Sequence, residues 1–250
     1  MTTNIISNIP LIVVITIIFV IILNRLFKLK IMENFFGLSF IHIPKNAGSS
    51  IENAGLQKNT LWGYKRWTKK DCNKGDNIFK IKGPWLDKKN NNKTIDNKSP
   101  GYPWHRTPDV LGKDVYNNDK LFCVVRNPYS KIVSAYKYHQ GKKSSKEGLN
   151  SWIKKYLSDY DNNIYFNGCH ILEQNNYTHG DIKCDHIIRF ENLDKEFNKL
   201  MKEYDLNVTL PVSNKSNNNV SVKDLDKESL ELIYKVYKKD FDIYNYDKNI

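Results

Sequence analysis

Apolar positions along this chain fall into one long uncharged run followed by a series of short ones, each ending at a polar turn. The long run, Ile5 to Leu23 (IISNIPLIVVITIIFVIIL), carries no charge and stops at Asn24 and Arg25, long enough for a slightly tilted bilayer-spanning helix. It predicts one N-terminal transmembrane helix that serves as an anchor. A cleaved signal peptide fits less well, because no basic segment precedes the run and no small-x-small site follows it. Leu38 to Ile43 is a compact apolar run broken by Pro44, the pattern of a buried strand ending at a loop. The loop KNAGSS comes next, and Ser49 or Ser50 is expected to cap a helix through Ile51, Ala54 and Leu56.

The same arrangement recurs. Leu121 to Val125 reads as a second buried strand, stopped by Arg126-Asn127-Pro128 and followed by the helical pattern Ser130, Val133, Ser134, Tyr138. His186 to Phe190 is a third, leading through Glu191-Asn192-Leu193 into a helix from Asp194 to about Tyr204 with Phe197, Leu200 and Met201 on one face. A last helix, Lys227 to Phe241, has Leu230, Ile233, Tyr234 and Tyr237 at amphipathic spacing and is expected to pack on the sheet. This alternation predicts an α/β domain with a central parallel sheet flanked by helices, which takes its ligands at the carboxyl ends of the strands. Residues 1–30 are then anchor and basic stem, and 31–250 one folded domain. That domain is interrupted at about 68–99 by a low-complexity surface insertion of Lys, Asn and Asp.

With 250 residues, 40% hydrophobic and 12% aromatic, the chain has material for a real core. Its formal charge of +12 favours anionic partners: phosphates, nucleic acid, acidic glycans or membrane headgroups. Most of that charge is Lys set among Asn, so by itself it selects none of them. The five arginines are more informative. Arg106, Arg126 and Arg189 fall in motif-bearing segments of a chain that elsewhere uses Lys, as expected where a planar fork must meet phosphate oxygens.

The four cysteines, Cys72, Cys123, Cys169 and Cys184, lack the spacing of paired zinc ligands, and no metal site is expected. Cys123 sits in an apolar strand pattern and reads as packing. In a lumenal domain Cys169 and Cys184 can close a loop as a disulfide. Six glycosylation sequons, at Asn92, Asn97, Asn176, Asn207, Asn214 and Asn219, suit a lumenal domain, although chance alone yields several in so Asn-rich a chain. Arg25, Lys28 and Lys30 just after the anchor argue the opposite orientation by the positive-inside rule.

Two strings carry the chemistry. HIPKNAGSS, His42 to Ser50, sets Lys45, Asn46, Gly48, Ser49 and Ser50 between a strand end and a helix start, where backbone N–H groups and the helix dipole favour an anion. It departs from the triphosphate loop GxxxxGK[ST], because the lysine precedes the glycine. CVVRNPYSKIVSAY adds a second anion site: Arg126 leaves a strand end and Ser134 projects from the following helix. Two anion sites suggest one ligand with two separate phosphates.

Together and in this order, HIPKNAGSS and VVRNPYSKIVSAY resemble the 5'-phosphosulfate and 3'-phosphate motifs of Golgi-type carbohydrate sulfotransferases. The resemblance continues through GYPWHRTPDVL, CHILEQNNY, RFENL and YKKDFDIYNY, and so covers nearly everything from residue 38 onward. It implies that 3'-phosphoadenosine 5'-phosphosulfate (PAPS) is the sulfuryl donor. Lys45, Asn46, Gly48, Ser49 and Ser50 would then hold the 5'-phosphosulfate in a P-loop-like loop, and Arg126 and Ser134 the 3'-phosphate.

The resemblance further implies a glycan or other hydroxyl acceptor, no metal, no nucleic-acid partner, and residence in a Golgi or other secretory-pathway membrane through the N-terminal helix. Transfer needs positive charge at the leaving group, which Lys45 can supply, and a base for the acceptor hydroxyl, for which His105 resembles the family's catalytic histidine. The plainer reading of His105 is a loop residue packed beside Trp104. Glu191 is the alternative base, His42 reads as a core histidine, and Gln174 and Tyr177 match the family pattern without an evident role. A small-molecule kinase and a membrane-tethered glycan- or polyanion-binding protein are the competing functions; the first lacks the Walker lysine arrangement and the second needs no paired anion motifs.

Overall fold

The computed structural model describes residues 37–57, 60, 62, 103–116, 119–211 and 220–249, together with Ile18 and Phe19. The expected anchor, apart from those two residues, and the Lys/Asn-rich insertion lie outside the described residues. Among those described, no helix is long and apolar enough to cross a membrane.

Three strands, β1 (Leu38–Ile41), β2 (Lys120–Val125) and β3 (His186–Arg189), form one parallel sheet in that order. Phe40 of β1 lies beside Phe122, and Phe122 beside His186. The central strand, KLFCVV, is buried at every position after Lys120, because a strand covered on both faces must be apolar on both. Phe122 and Val124 face a core with Leu38, Phe40 and Ile188, covered by Ile51 and Ala54 of α1 (Gly48–Leu56) and by the Phe197, Leu200 and Met201 stripe on the helix after β3. Leu121, Cys123 and Val125 face the opposite core, with Ile43, Val115, Cys169, Leu172 and Tyr177.

After β2 comes α2 (Pro128–Gln140), whose start is written into Arg126-Asn127-Pro128. The Asn127 side chain accepts from the N–H groups of Tyr129 and Ser130, and Pro128 occupies the first helical position, where no N–H is needed. The longer helices that follow, with short four-residue helices between the first two, are α3 (Lys146–Leu157), α4 (Leu193–Glu203, the helix after β3), α5 (Lys227–Val236) and α6 (Lys238–Ile243). Helices α2, α3, α5 and α6 share a separate core of Ile132, Tyr136, Leu149, Ile153, Ile233, Tyr237 and Phe241.

Three expectations are corrected. Helix α1 begins at Gly48, so Ser49 and Ser50 lie in its first turn. The cap is Ala47, left-handed at φ 63° with no side-chain bond. The terminal helix breaks at Tyr237 and packs on α2 and α3, not on the sheet, whose two faces are already covered. Cys169 and Cys184 are not joined by a disulfide: Cys184 lies against Cys123, sulfur to sulfur at 3.1 Å, across β2 and the approach to β3. Cys123 is buried, as its strand pattern required.

Candidate active site

All three strands end at one cleft of about 1520 Å³, into which they deliver His42, Lys45, Arg126, Phe190 and Glu191. Ordinary ligand clefts run to about 300–1,000 Å³, so this one has room for two substrates side by side.

The first wall is the loop from β1 to α1. Lys45 and Ala47 both sit in the left-handed region, at φ 70° and 63°. Such turns ahead of a helix start aim N–H groups at an anion. The helix's own bonding starts with Ser50, which donates to Ala47, and no acidic side chain offsets the dipole in its first turn. Gly48, Ser49 and Ser50 line the cleft. Asn46 does not: it is buried behind the loop, where its Nδ2 donates to the Val124 carbonyl (2.8 Å) and to Gln174 Oε1 (2.6 Å).

The second wall begins with Arg126. Its Nε donates to Ser130 Oγ (2.9 Å), one terminal nitrogen donates to the Lys45 carbonyl (3.2 Å), and the guanidinium lies 4.0 Å over the Phe190 ring. The two loops are therefore in direct contact. Ser130, Ser134 and Lys137 continue along one face of α2 and line the cleft. Sequence reasoning missed Lys137, although its spacing from Ser134 held the signal. Of the three arginines singled out, Arg126 lines the cleft. Arg106 is buried, and Arg189 donates to the Tyr244 and Asn245 carbonyls.

The cations crowd one another. Burial, then Arg126 and Lys131, pull the Lys45 ammonium down to about 8, and that ammonium rests 3.8 Å over the Tyr138 ring. Burial also draws Arg126 down and brings fully buried Lys131 to about 8. Lys131 donates to the carbonyls of His170 and Leu172 and so braces the segment that carries His170. An anion in this cleft would relieve the repulsion among these groups.

The third wall is histidine. His105 Nδ1 lies 3.0 Å from the Gly168 carbonyl, which can only accept, so the tautomer assigned from this bond puts the proton on Nδ1 and a lone pair on Nε2. Tyr177, buried, donates its hydroxyl to the His105 carbonyl (2.7 Å), and Trp104 packs against the ring. His105 thus packs beside Trp104 and lines the cleft as well. Burial, then the His42 and Lys45 charges, hold its pKa well below 6.5. His170 is likewise lowered by burial, and His139 to about 4.

His42 lies edge-on to His105, 4.8 Å between ring centres, with its Nδ1 2.6 Å from buried Glu52. It is a satisfied histidine, as expected, but on the cleft wall. Its ring also explains Gly48, since a Cβ there would stand 2.1 Å from His42 Nε2. Gly48→Ala should therefore cost about 1–3 kcal/mol of stability, the usual scale of overpacking, measurable by chemical denaturation. An unchanged midpoint would show that the ring moves freely.

Glu191 lines the cleft with both oxygens engaged, one accepting the Asn127 N–H (2.8 Å) and the other the Tyr246 hydroxyl (3.0 Å). It braces the second loop. Among the described residues, no three His, Cys, Asp or Glu side chains are placed to hold a metal ion.

A family model described as the Sulfotransferase family matches residues 30–247, which takes in every wall of the cleft. No curated protein and no solved structure matches the chain. A match over so much of the sequence means that the chain belongs to the sulfotransferase family.

Proposed function

We propose that this protein transfers a sulfuryl group from PAPS to a hydroxyl of a carbohydrate acceptor. The observation that carries the reading is the pairing of Lys45 and Arg126 at the ends of adjacent strands, in one cleft and joined by a hydrogen bond. A donor with separated 5' and 3' phosphates suits two such cationic loops.

In this reading Lys45, with Gly48, Ser49 and Ser50, holds the phosphosulfate end, while Arg126 and Ser134 hold the 3'-phosphate, with Lys137 close by. His105 Nε2 takes the acceptor's proton as its oxygen bonds to sulfur. The electron pair of the breaking bond between sulfur and bridging oxygen stays on the phosphate, where Lys45 balances the charge. Asn46 serves from behind by fixing the loop. Trp104, Tyr138 and the polar Asn167 line the same cleft, a mix of aromatic and amide groups suited to a sugar, and the cleft volume leaves space for one. The run Ile5 to Leu23 supports a single-pass anchor in a Golgi or other secretory-pathway membrane.

Adenosine 3',5'-bisphosphate should raise the thermal midpoint where ATP and heparin do not, and labelled sulfate should pass from PAPS to a glycan array. Stabilisation by ATP with none by the bisphosphate would overturn the reading. Arg126→Lys keeps the charge and loses the planar fork that meets Ser130 and Lys45 while lying on Phe190. Bisphosphate binding should then weaken by about 1–3 kcal/mol in a calorimetric titration. Unchanged affinity would remove Arg126 from the 3'-phosphate.

A further inference from the structure

We infer that Gln174 is a positioning residue that locks the two anion loops into one register, so that a ligand bearing both phosphates is favoured beyond what either loop gives alone. The inference rests on the donor reading above. Gln174 is fully buried and touches both loops at once. Its Oε1 accepts from Asn46 Nδ2 of the first loop (2.6 Å) and from the backbone N–H of Arg126 in the second (2.8 Å). Its Nε2 donates to the Arg126 carbonyl (2.8 Å) and to Asp240 Oδ2 (3.3 Å). One side-chain amide thus uses two acceptor and two donor positions, which is its whole capacity.

Asp240 anchors this crossbar. It is buried, and the backbone N–H of Gln174 donates to its Oδ2 (2.8 Å), while its Oδ1 accepts both the N–H and the side-chain amide of Asn175 (2.8 and 2.9 Å). The carboxylate on α6 fixes the segment at Gln174, and Gln174 fixes the loops. Asn46 completes the link by also donating to Val124, the residue before the last of β2.

A filled, buried polar network of this kind is stiff. Stiffness matters here because the second phosphate then meets a loop already in place, and its binding is not spent on ordering. A glutamate at this position has no donor for the Arg126 carbonyl and would set its charge against Asp240, so only the amide serves both loops.

The test compares three probes by calorimetry: adenosine 5'-monophosphate, adenosine 3'-monophosphate and adenosine 3',5'-bisphosphate, on the wild-type chain and on Gln174→Met, which keeps the volume. The advantage of the bisphosphate over either monophosphate should fall about tenfold in the variant, the scale of one or two lost hydrogen bonds, while each monophosphate's affinity shifts less than about threefold. Asn46→Ala cuts the arm to the first loop alone and should give the same pattern, which keeps the inference testable if Gln174→Met does not fold. An equal loss for all three probes would mean that Gln174 merely supports the fold, and would overturn the coupling while leaving the donor reading intact. A wild-type chain that binds the bisphosphate no tighter than the monophosphates would overturn both.

Discussion

Lys45→Ala is expected to lower turnover by about 10³-fold or more, the scale seen when a cation that meets developing charge is removed. The bisphosphate product should also bind more weakly. Lys45 occupies a left-handed position in the first loop, and burial, followed by the nearby charges of Arg126 and Lys131, draws its ammonium down to about 8. Its charge is thus present but poorly balanced until an anion arrives. The free enzyme's kcat/KM should therefore fall as pH rises through about 8, because the charged form is the working one. That alkaline fall should be absent from the residual activity of the variant, unless buried Lys131, also near 8, contributes to it. Nearly normal turnover in Lys45→Ala would end the assignment.

His105→Ala should lower turnover by about 10²- to 10⁴-fold, the range for loss of a general base, and leave bisphosphate affinity almost intact. The Gly168 carbonyl fixes the proton on Nδ1, so the lone pair needed for proton abstraction is on Nε2. Since burial and neighbouring cations hold its pKa well below 6.5, the ring is neutral throughout the physiological range. The acid limb of the pH profile should lie well below an ordinary histidine's, and acidification should depress the rate only there. Turnover within about threefold of wild type would pass the role on. His42, backed by Glu52, is then the next residue to replace, ahead of Glu191, whose oxygens already hold Asn127 and Tyr246.

What could be read from the sequence was local. Each strand, turn and helix start is specified within about a dozen residues, so β1, β2, β3 and the loops that follow β1 and β2 were visible as short strings. The Arg126-Asn127-Pro128 turn is a case in point, since its cap and first helical residue are neighbours. The contacts that were missed join distant residues. Asn46 and Gln174 are 128 positions apart, and Cys184 meets Cys123 across 61. For a lumenal domain the sequence reading set Cys184 with Cys169, but parallel pairing carries the approach to β3 alongside β2 and so toward Cys123. His42 and Glu52 are only ten apart, yet their contact depends on the loop turning back through two left-handed residues, which Lys45 and Ala47 do not advertise. The terminal helix was assigned a correct face and a wrong neighbour, because amphipathic spacing says that a face is covered and not by what.

The adjacency of β1 and β2 has a consequence for how this protein can diversify. Neighbouring strands stand about 4.8 Å apart whatever joins them, so the sheet acts as a ruler for the two loops at its edge. Asn46 and Val124 are hydrogen-bonded although 78 residues separate them along the chain. That connection can lengthen, shorten or change composition, as its Lys/Asn-rich stretch illustrates, without altering the distance between Lys45 and Arg126. If the two loops hold the donor as proposed, new acceptor preferences can be tried in the connecting chain while that grip stays constant.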